Sequence, residues 1–366
     1  MTPPFGEGAV IPQHAPLFGE EEAAAVASYV VSGGYLTEHT KTRELEGAIA
    51  AYTGARHCVM APNGTLSLTL AAIALGLPRN AEVIVPCYSM VASANAFKLL
   101  GMQLSFVDVE PDTLCIDAEL VERALSHRTR AVVLVDANGR TPRTMPMLRE
   151  MCAHHRIPII EDAAQALGAL APDGRHCGRV GAVGSFSFSA PKVISMGQGG
   201  ACITDDDDLA HLMRRAKDFG RERGGVDIHP TFGVNMKFTD LQAVVGLEQM
   251  KKLPERVARK KAIGARYRAG LAGISQVAMY HQESTPWFYD VLAWNRDGLR
   301  AHLEARGIGS RPMYPPIAHQ KCYGGDGGSF PVAERVGRDG LWLPSSVQLT
   351  DEEVDRVCDE VLAFYA

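Results

Sequence analysis

The chain has 366 residues, 46% of them apolar and 22% charged, with a formal net charge of −5. This is an ordinary globular composition, long enough for a large core and two domains. No basic run or Arg/Lys stripe offers itself to a nucleic-acid polymer, and no apolar segment reaches the ~20 residues that span a membrane. The opening MTPPFGEGAVIPQ has neither the cationic nor the apolar region of a signal peptide. The eight cysteines are dispersed, with no CxxC pair. The expectation is a cytoplasmic protein with neither a disulfide framework nor a bound metal.

From about residue 57 short apolar runs alternate with longer amphipathic ones, as they do when helices cross over between parallel strands. HCVMA (57–61) reads as a strand, and a helix through NGTLSLTLAAIALG (63–76) follows it. EVIVP (82–86) is the next strand, then a helix through SANAFKLLG, the strand LSFVD (104–108) and a helix near AELVERALS. AVVLVD (131–136), a helix through MLREMCAHH and the strand IPIIED (157–162) continue the pattern. Apolar strands that end in Pro, Asp or Glu and lead into helices are the mark of a buried parallel sheet with functional groups at its C-terminal edge.

GSFSFS (184–189) and GGACITD (199–205) are strand-like, and a long helical region begins at DLQAVVGLEQMKKL. The expected division is a large α/β domain over 1–250 and a small α+β domain over 251–366. In the second, WFYDVLAW (287–294) reads as a strand and RDGLRAHLEARG as a helix. A capping box of Thr350 and Glu353 starts the last helix. The glycine-rich HQKCYGGDGGSFP (319–331) reads as a loop that is mobile or touches a partner.

Three stretches carry chemistry. IIEDAAQALGA (159–169) delivers Asp162 to a strand end, where it either caps the next helix or pairs with a protonated ring nitrogen of a cofactor. SFSFSAPKVISMGQGG presents Lys192 between a strand and a glycine turn. That lysine is a phosphate-binding point charge, a solvated residue or a nucleophilic amine with a lowered pKa. APNGTLSL (61–68) puts Gly64 and Thr65 at a helix start, which is either an anion site or a plain cap.

NGT (63–65), VPCYSMVASANA (85–96), IEDAAQALGA (160–169), SFSFSAPK (185–192), GQGGACITDD (197–206), GVNMKFTDLQAVVGLEQM (233–250) and SRPMYPP (310–316) occur in one order over nearly the whole chain. In this the chain resembles the DegT/DnrJ/EryC1/StrS sugar aminotransferases, which are fold-type I pyridoxal-phosphate enzymes. The resemblance implies that Lys192 forms the Schiff base and moves the substrate proton. Asp162 would bind the pyridine nitrogen and Gln165 would lie near the ring's phenolic oxygen. Gly64, Thr65 and Ser187 would hold the phosphate. Asn235 would reach the cofactor of a neighbouring subunit, so a homodimer with shared active sites is implied.

Met90 stands where most relatives stack an aromatic ring on the cofactor, and a thioether packs on such a face too. YLTEH (35–39) and VDANGR (135–140) depart from the family pattern in regions that touch substrate in relatives. Tyr35, Arg311, Tyr314 and His319 are the substrate-side candidates. The implied reaction carries an amino group from glutamate or glutamine to a keto-sugar, with a nucleotide-linked 4-keto-6-deoxyhexose as the first acceptor. An oxidised octulosonate is the second. Another fold-type I enzyme and a non-catalytic regulator are the readings from other classes. The dehydratase relatives carry histidine where this chain has Lys192, so the lysine favours transamination.

Overall fold

The structure is a computed structural model that describes residues 10–280, 284–325 and 327–366. Residues 1–9, on which much of the leader reading rests, and Asp326 of the 319–331 loop lie outside the described residues.

Seven strands form the main sheet: His57–Ala61 (β1), Glu82–Pro86 (β2), Gln103–Val107 (β3), Thr129–Val135 (β4), Ile159–Asp162 (β5), Val183–Ser187 (β6) and Gly200–Thr204 (β7). Their order is β1-β7-β6-β5-β4-β2-β3. β6, β5, β4, β2 and β3 run parallel, and β7 runs antiparallel to both of its neighbours. The continuous apolar runs of β2 and β4 follow from burial on both faces. Val83, Val85, Val133 and Val135 pack with the helix Gly64–Ala74 on one side. Ile84, Val132 and Leu134 pack with the helix Met145–His155 on the other.

Four antiparallel strands make a second sheet: Val277–Met279 (β8), Tyr289–Ala293 (β9), Arg311–Pro312 (β10) and Gly340–Leu343 (β11), in the order β10-β11-β9-β8. The helices Arg296–Ala305 and Asp351–Tyr365 cover it, and Thr350 and Glu353 form the expected capping box. The 31-residue helix Asp240–Gly270 contributes Ile263 and Tyr267 to the same core. That helix runs through Pro254 and through the expected division at 250/251, so the two sheets share it as a strut. Ile11 pairs with Ile308, which ties the first described residues to the second sheet.

An aromatic cluster of Tyr88, Tyr280, Trp287, Phe288 and Trp342 fills the space between the sheets. Beside it Arg140, just past the end of β4, makes a two-pronged ion pair with Asp290 of β9 at 3.1 and 2.7 Å. Both side chains are buried. Asp290→Ala strands the guanidinium in that apolar setting and is expected to lower the unfolding free energy by about 3–5 kcal/mol. Denaturant midpoints check this, and Arg140→Met/Asp290→Leu is expected to recover most of the loss because it leaves no charge without its counterpart.

Candidate active site

The C-terminal ends of β5 and β6 meet the N-terminus of the helix Gly64–Ala74, and the chemistry-bearing stretches converge there. Asn63 caps the helix by accepting from the Leu66 N–H at 2.9 Å. The N–H groups of Gly64 and Thr65 have no acceptor within the helix and suit an anion. Two glycines make this turn fit the sheet. A Cβ on Gly64 would lie 2.8 Å from Ser187 Cβ, and one on Gly200 would lie 2.3 Å from the Asn63 carbonyl oxygen. Glycine at both positions therefore lets the turn settle over β6 and β7 with the Ser187 hydroxyl beside it.

Asp162 is the last residue of β5 and is buried. Ser93 Oγ donates to one carboxylate oxygen at 2.5 Å, and the Ala164 N–H donates to the other at 3.2 Å. The helix-cap reading of this aspartate is not what the structure shows: turns and no helix follow β5, and one carboxylate oxygen orders the first of them through Ala164. Burial pushes its pKa above the usual carboxylate range, opposed by Ser93, by Ala164 and by the charge of Lys192.

Lys192 lies in the turn between β6 and β7. Burial pulls its amine down to about 8, against the attraction of Asp162. Such an amine still holds its proton most of the time at neutral pH, but its neutral fraction far exceeds that of a solvated lysine. Its Nζ sits 4.2 Å from the centroid of the Trp287 ring. Gln165 faces the same ends, its Oε1 accepting from the Asn138 N–H at 2.8 Å. Met90 is 46% exposed, three residues before Ser93.

The substrate-side candidates divide into separate places. Tyr314 lies edge-on to Trp342 at 4.7 Å, and the Arg311 guanidinium is 5.5 Å from the same ring. Trp342 in turn meets Trp287 at 5.8 Å, so this pair joins the aromatic wall over Lys192. Burial raises the Tyr314 hydroxyl to about 12, with Asp162 near enough to contribute. His319 instead contacts the Gly328 carbonyl at 3.0 Å and belongs to its own loop. Tyr35, 68% exposed, stacks on His39 beside the start of the helix Asp240–Gly270. Asn235 is exposed, and its Oδ1 accepts from the Lys237 N–H. Neither of these last two contacts the Lys192 group within one chain.

Sequence reasoning passed over Ser93, Asn138 and Trp287. The signal for Trp287 was present in WFYDVLAW, which reads as a strand; only Tyr289–Ala293 is one, and Trp287 and Phe288 precede it. Asn138, in the left-handed region at φ 55, accepts from the N–H groups of both Trp287 and Phe288 at 2.7 Å.

An amine, a buried carboxylate and an anion-binding turn at adjoining strand ends fit the donor set that pyridoxal phosphate requires: an aldehyde partner, a counter-charge for a ring nitrogen and a phosphate cradle. The model of the DegT/DnrJ/EryC1/StrS aminotransferase family matches residues 16–362. The chain is 35% identical over 338 residues to a GDP-perosamine synthase of Caulobacter vibrioides, covering 87% of this chain and 89% of that protein. It is 35% identical over 350 residues to the dTDP-3-amino-3,4,6-trideoxy-alpha-D-glucose transaminase of Streptomyces venezuelae, covering 93% and 91%. The crystal structure of the aminotransferase TlmJ from Streptoalloteichus hindustanus superposes with a TM-score of 0.90 at 33% identity, over 97% of this chain and 98% of that one.

Proposed function

Because the chain belongs to the DegT/DnrJ/EryC1/StrS aminotransferase family, a pyridoxal-phosphate-dependent family of fold-type I, we propose that it moves an amino group from glutamate or glutamine to a nucleotide-linked keto-sugar. A 4-keto-6-deoxyhexose is the proposed sugar. The observation that carries this reading is the placement of Lys192 and Asp162 at neighbouring strand ends, each with an ionisation shifted by burial. The likeness to a GDP-perosamine synthase and a dTDP-amino-sugar transaminase supports the nucleotide-linked acceptor.

Bound pyridoxal phosphate supplies an electron sink for the charge left when a substrate C–H loses its proton. The chain's own residues do the rest. The N–H groups of Gly64 and Thr65 and the Ser187 hydroxyl would hold the phosphate, and Asp162 would hold the ring nitrogen in its protonated form. The Asn138 N–H fixes the Gln165 carbonyl, which leaves the Gln165 amide N–H groups for the ring oxygen. Met90 would cover the ring face. Lys192 is the amine that would attach the aldehyde and, once released, take and return the proton at the substrate carbon. With its ionisation near 8 it serves as acid and as base. Arg311 and Tyr314 would meet the sugar from the second sheet.

Gly200→Ala drives a Cβ toward the Asn63 carbonyl and displaces the anion turn. It is expected to weaken cofactor binding about tenfold, or about 1.4 kcal/mol, measured by equilibrium dialysis. A gain in affinity would contradict the assigned phosphate site.

The active form is proposed to be a homodimer with shared sites. Val31, Tyr35, Leu36, Ile228 and Phe232 are exposed apolar side chains, Phe232 at 78%. The first three lie on a segment tied to the start of the helix Asp240–Gly270 by Asp240 N–H to the Thr37 carbonyl, and the last two on a loop closed by Phe219 N–H to the Val234 carbonyl. Asn235 borders this surface, which gives it a partner's site to reach. Mixing inactive Lys192→Ala with Asn235→Ala is expected to restore about a quarter of wild-type activity by forming one intact site per mixed dimer. No recovery on subunit exchange would place Asn235 outside the partner's site. The acceptor is tested by a panel: enzyme in its pyridoxamine form is given nucleotide-linked and free keto-sugars, and the one that regenerates the aldehyde cofactor is the substrate class.

A further inference from the structure

Trp287, 3% exposed, is fastened on every side that can be fastened. Its backbone N–H donates to Asn138 Oδ1 at 2.7 Å, and its carbonyl accepts from Lys260 Nζ at 2.5 Å. Phe288 stacks on its ring with centroids 3.8 Å apart and planes 15° from parallel. Its indole Nε1–H donates at 2.7 Å to the carbonyl of Pro191, and its ring face receives Lys192 Nζ. A buried indole needs some acceptor. The acceptor it has is the peptide oxygen immediately before Lys192, and His14 Nε2 contacts the carbonyl one residue earlier, that of Ala190, at 3.1 Å. The turn carrying Lys192 is therefore held by side chains from outside the main sheet.

We propose that Trp287 is a positioning residue for Lys192: its indole N–H fixes the Pro191–Lys192 peptide, and its ring face is the resting place of the amine when the amine is not joined to cofactor. The proposal rests on Lys192 being the reactive amine. A protonated amine is drawn to the ring face, so a proton that Lys192 takes from substrate stays over the indole and is retained for return. Two other titratable groups bear on this amine directly, and a third through one of them. Asp162 attracts its charged form, a protonated His14 opposes it, and the Lys260 ammonium acts on His14. Burial takes Lys260 down to about 7 and His14 to about 4, so both are largely neutral at the alkaline pH where Lys192 loses its proton.

The test compares wild type, Trp287→Phe and Trp287→Leu as cofactor-free protein. Labelling of Lys192 by an amine-directed reagent is followed against pH by peptide mapping. Phenylalanine keeps a ring face and loses the indole donor; leucine loses both. The labelling midpoint is expected to stay at the wild-type value for Trp287→Phe and to move about one pH unit lower for Trp287→Leu, because removal of the ring face favours the neutral amine. With cofactor restored, both variants are expected to lower kcat of the amino-donor half-reaction about tenfold with KM unchanged. An unchanged midpoint in Trp287→Leu, or a loss expressed wholly in KM, overturns the proposal. Should the leucine variant fail to fold, tryptophan emission decides. The pH-dependent quenching assigned to Trp287 by difference from Trp287→Phe is expected to shrink in Lys192→Met, and its full persistence there overturns the proposal. Failure of the underlying reading is separable, since cofactor would then still attach covalently to Lys192→Met.

Discussion

Lys192→Ala is expected to lower transamination by at least about 10⁴-fold and to abolish reductive trapping of pyridoxal phosphate on the protein. The size follows from two roles in one side chain, attachment of the cofactor and transfer of the proton at the substrate carbon. Among the described residues the buried lysines are already engaged. Lys260 is buried and donates to the carbonyls of Trp287 and Ser345, while Lys217 is buried and donates to Met60 and pairs with Glu38. Lys192→Arg is expected to fail as fully, because a guanidinium stays protonated at any working pH and is no base. Single-turnover absorbance with glutamate and borohydride reduction followed by peptide mapping check both variants. Trapped cofactor on another lysine would overturn the assignment.

Asp162→Asn is expected to cost about 10²–10³-fold in the rate of the amino-donor half-reaction, with fold and Ser93 contact preserved. Asparagine matches the shape and removes the charge that would keep a ring nitrogen protonated. A second consequence has a definite sign. The Asp162 charge raises the Lys192 ionisation against burial, so its removal takes the midpoint below about 8. Because the freed amine must be neutral to take the substrate proton, its ionisation forms a rising limb of the pH–rate profile, and that limb is expected to move to lower pH in the variant. Ser93→Ala acts on the same carboxylate from the other side. The Ser93 hydrogen bond opposes the rise caused by burial, so its loss moves the Asp162 ionisation to higher pH. A profile unchanged in Asp162→Asn would mean that the carboxylate and the amine do not share a site.

The sheet was legible because β2 and β4 are buried on both faces and so appear as unbroken apolar runs. The candidate site was legible where one strand and its following turn carry it: NGT, Asp162 and Lys192 each stand out within a few residues, and the structure brings them to adjoining strand ends. Contacts between distant segments were not. Nothing local in the 135–140 segment shows that Asn138 grips the backbone of Trp287 and Phe288, or that Arg140 pairs with Asp290. Nor does the sequence near Gly200 reveal that β7 reverses direction and that this glycine makes room for Asn63. The helices Glu20–Val31 and Thr40–Thr53 carried no clear period. In the first, Val30 and Val31 point apolar groups outward, which blurs the pattern of a one-sided helix. In the proposed dimer these outward groups would be covered, and Tyr35 and Asn235, which stand apart from Lys192 in a single chain, would be tested by the subunit-mixing experiment.

The most direct measurement is the fate of nitrogen. Enzyme, pyridoxal phosphate, glutamate labelled with ¹⁵N at the α-amino group and a nucleotide-linked 4-keto-6-deoxyhexose are combined, and the sugar product is examined by mass spectrometry and NMR. The account predicts ¹⁵N on the sugar, its formation dependent on Lys192. A sugar product without ¹⁵N, from labelled glutamate and from α-¹⁵N-glutamine supplied in its place, in protein that binds the cofactor through Lys192, would contradict it.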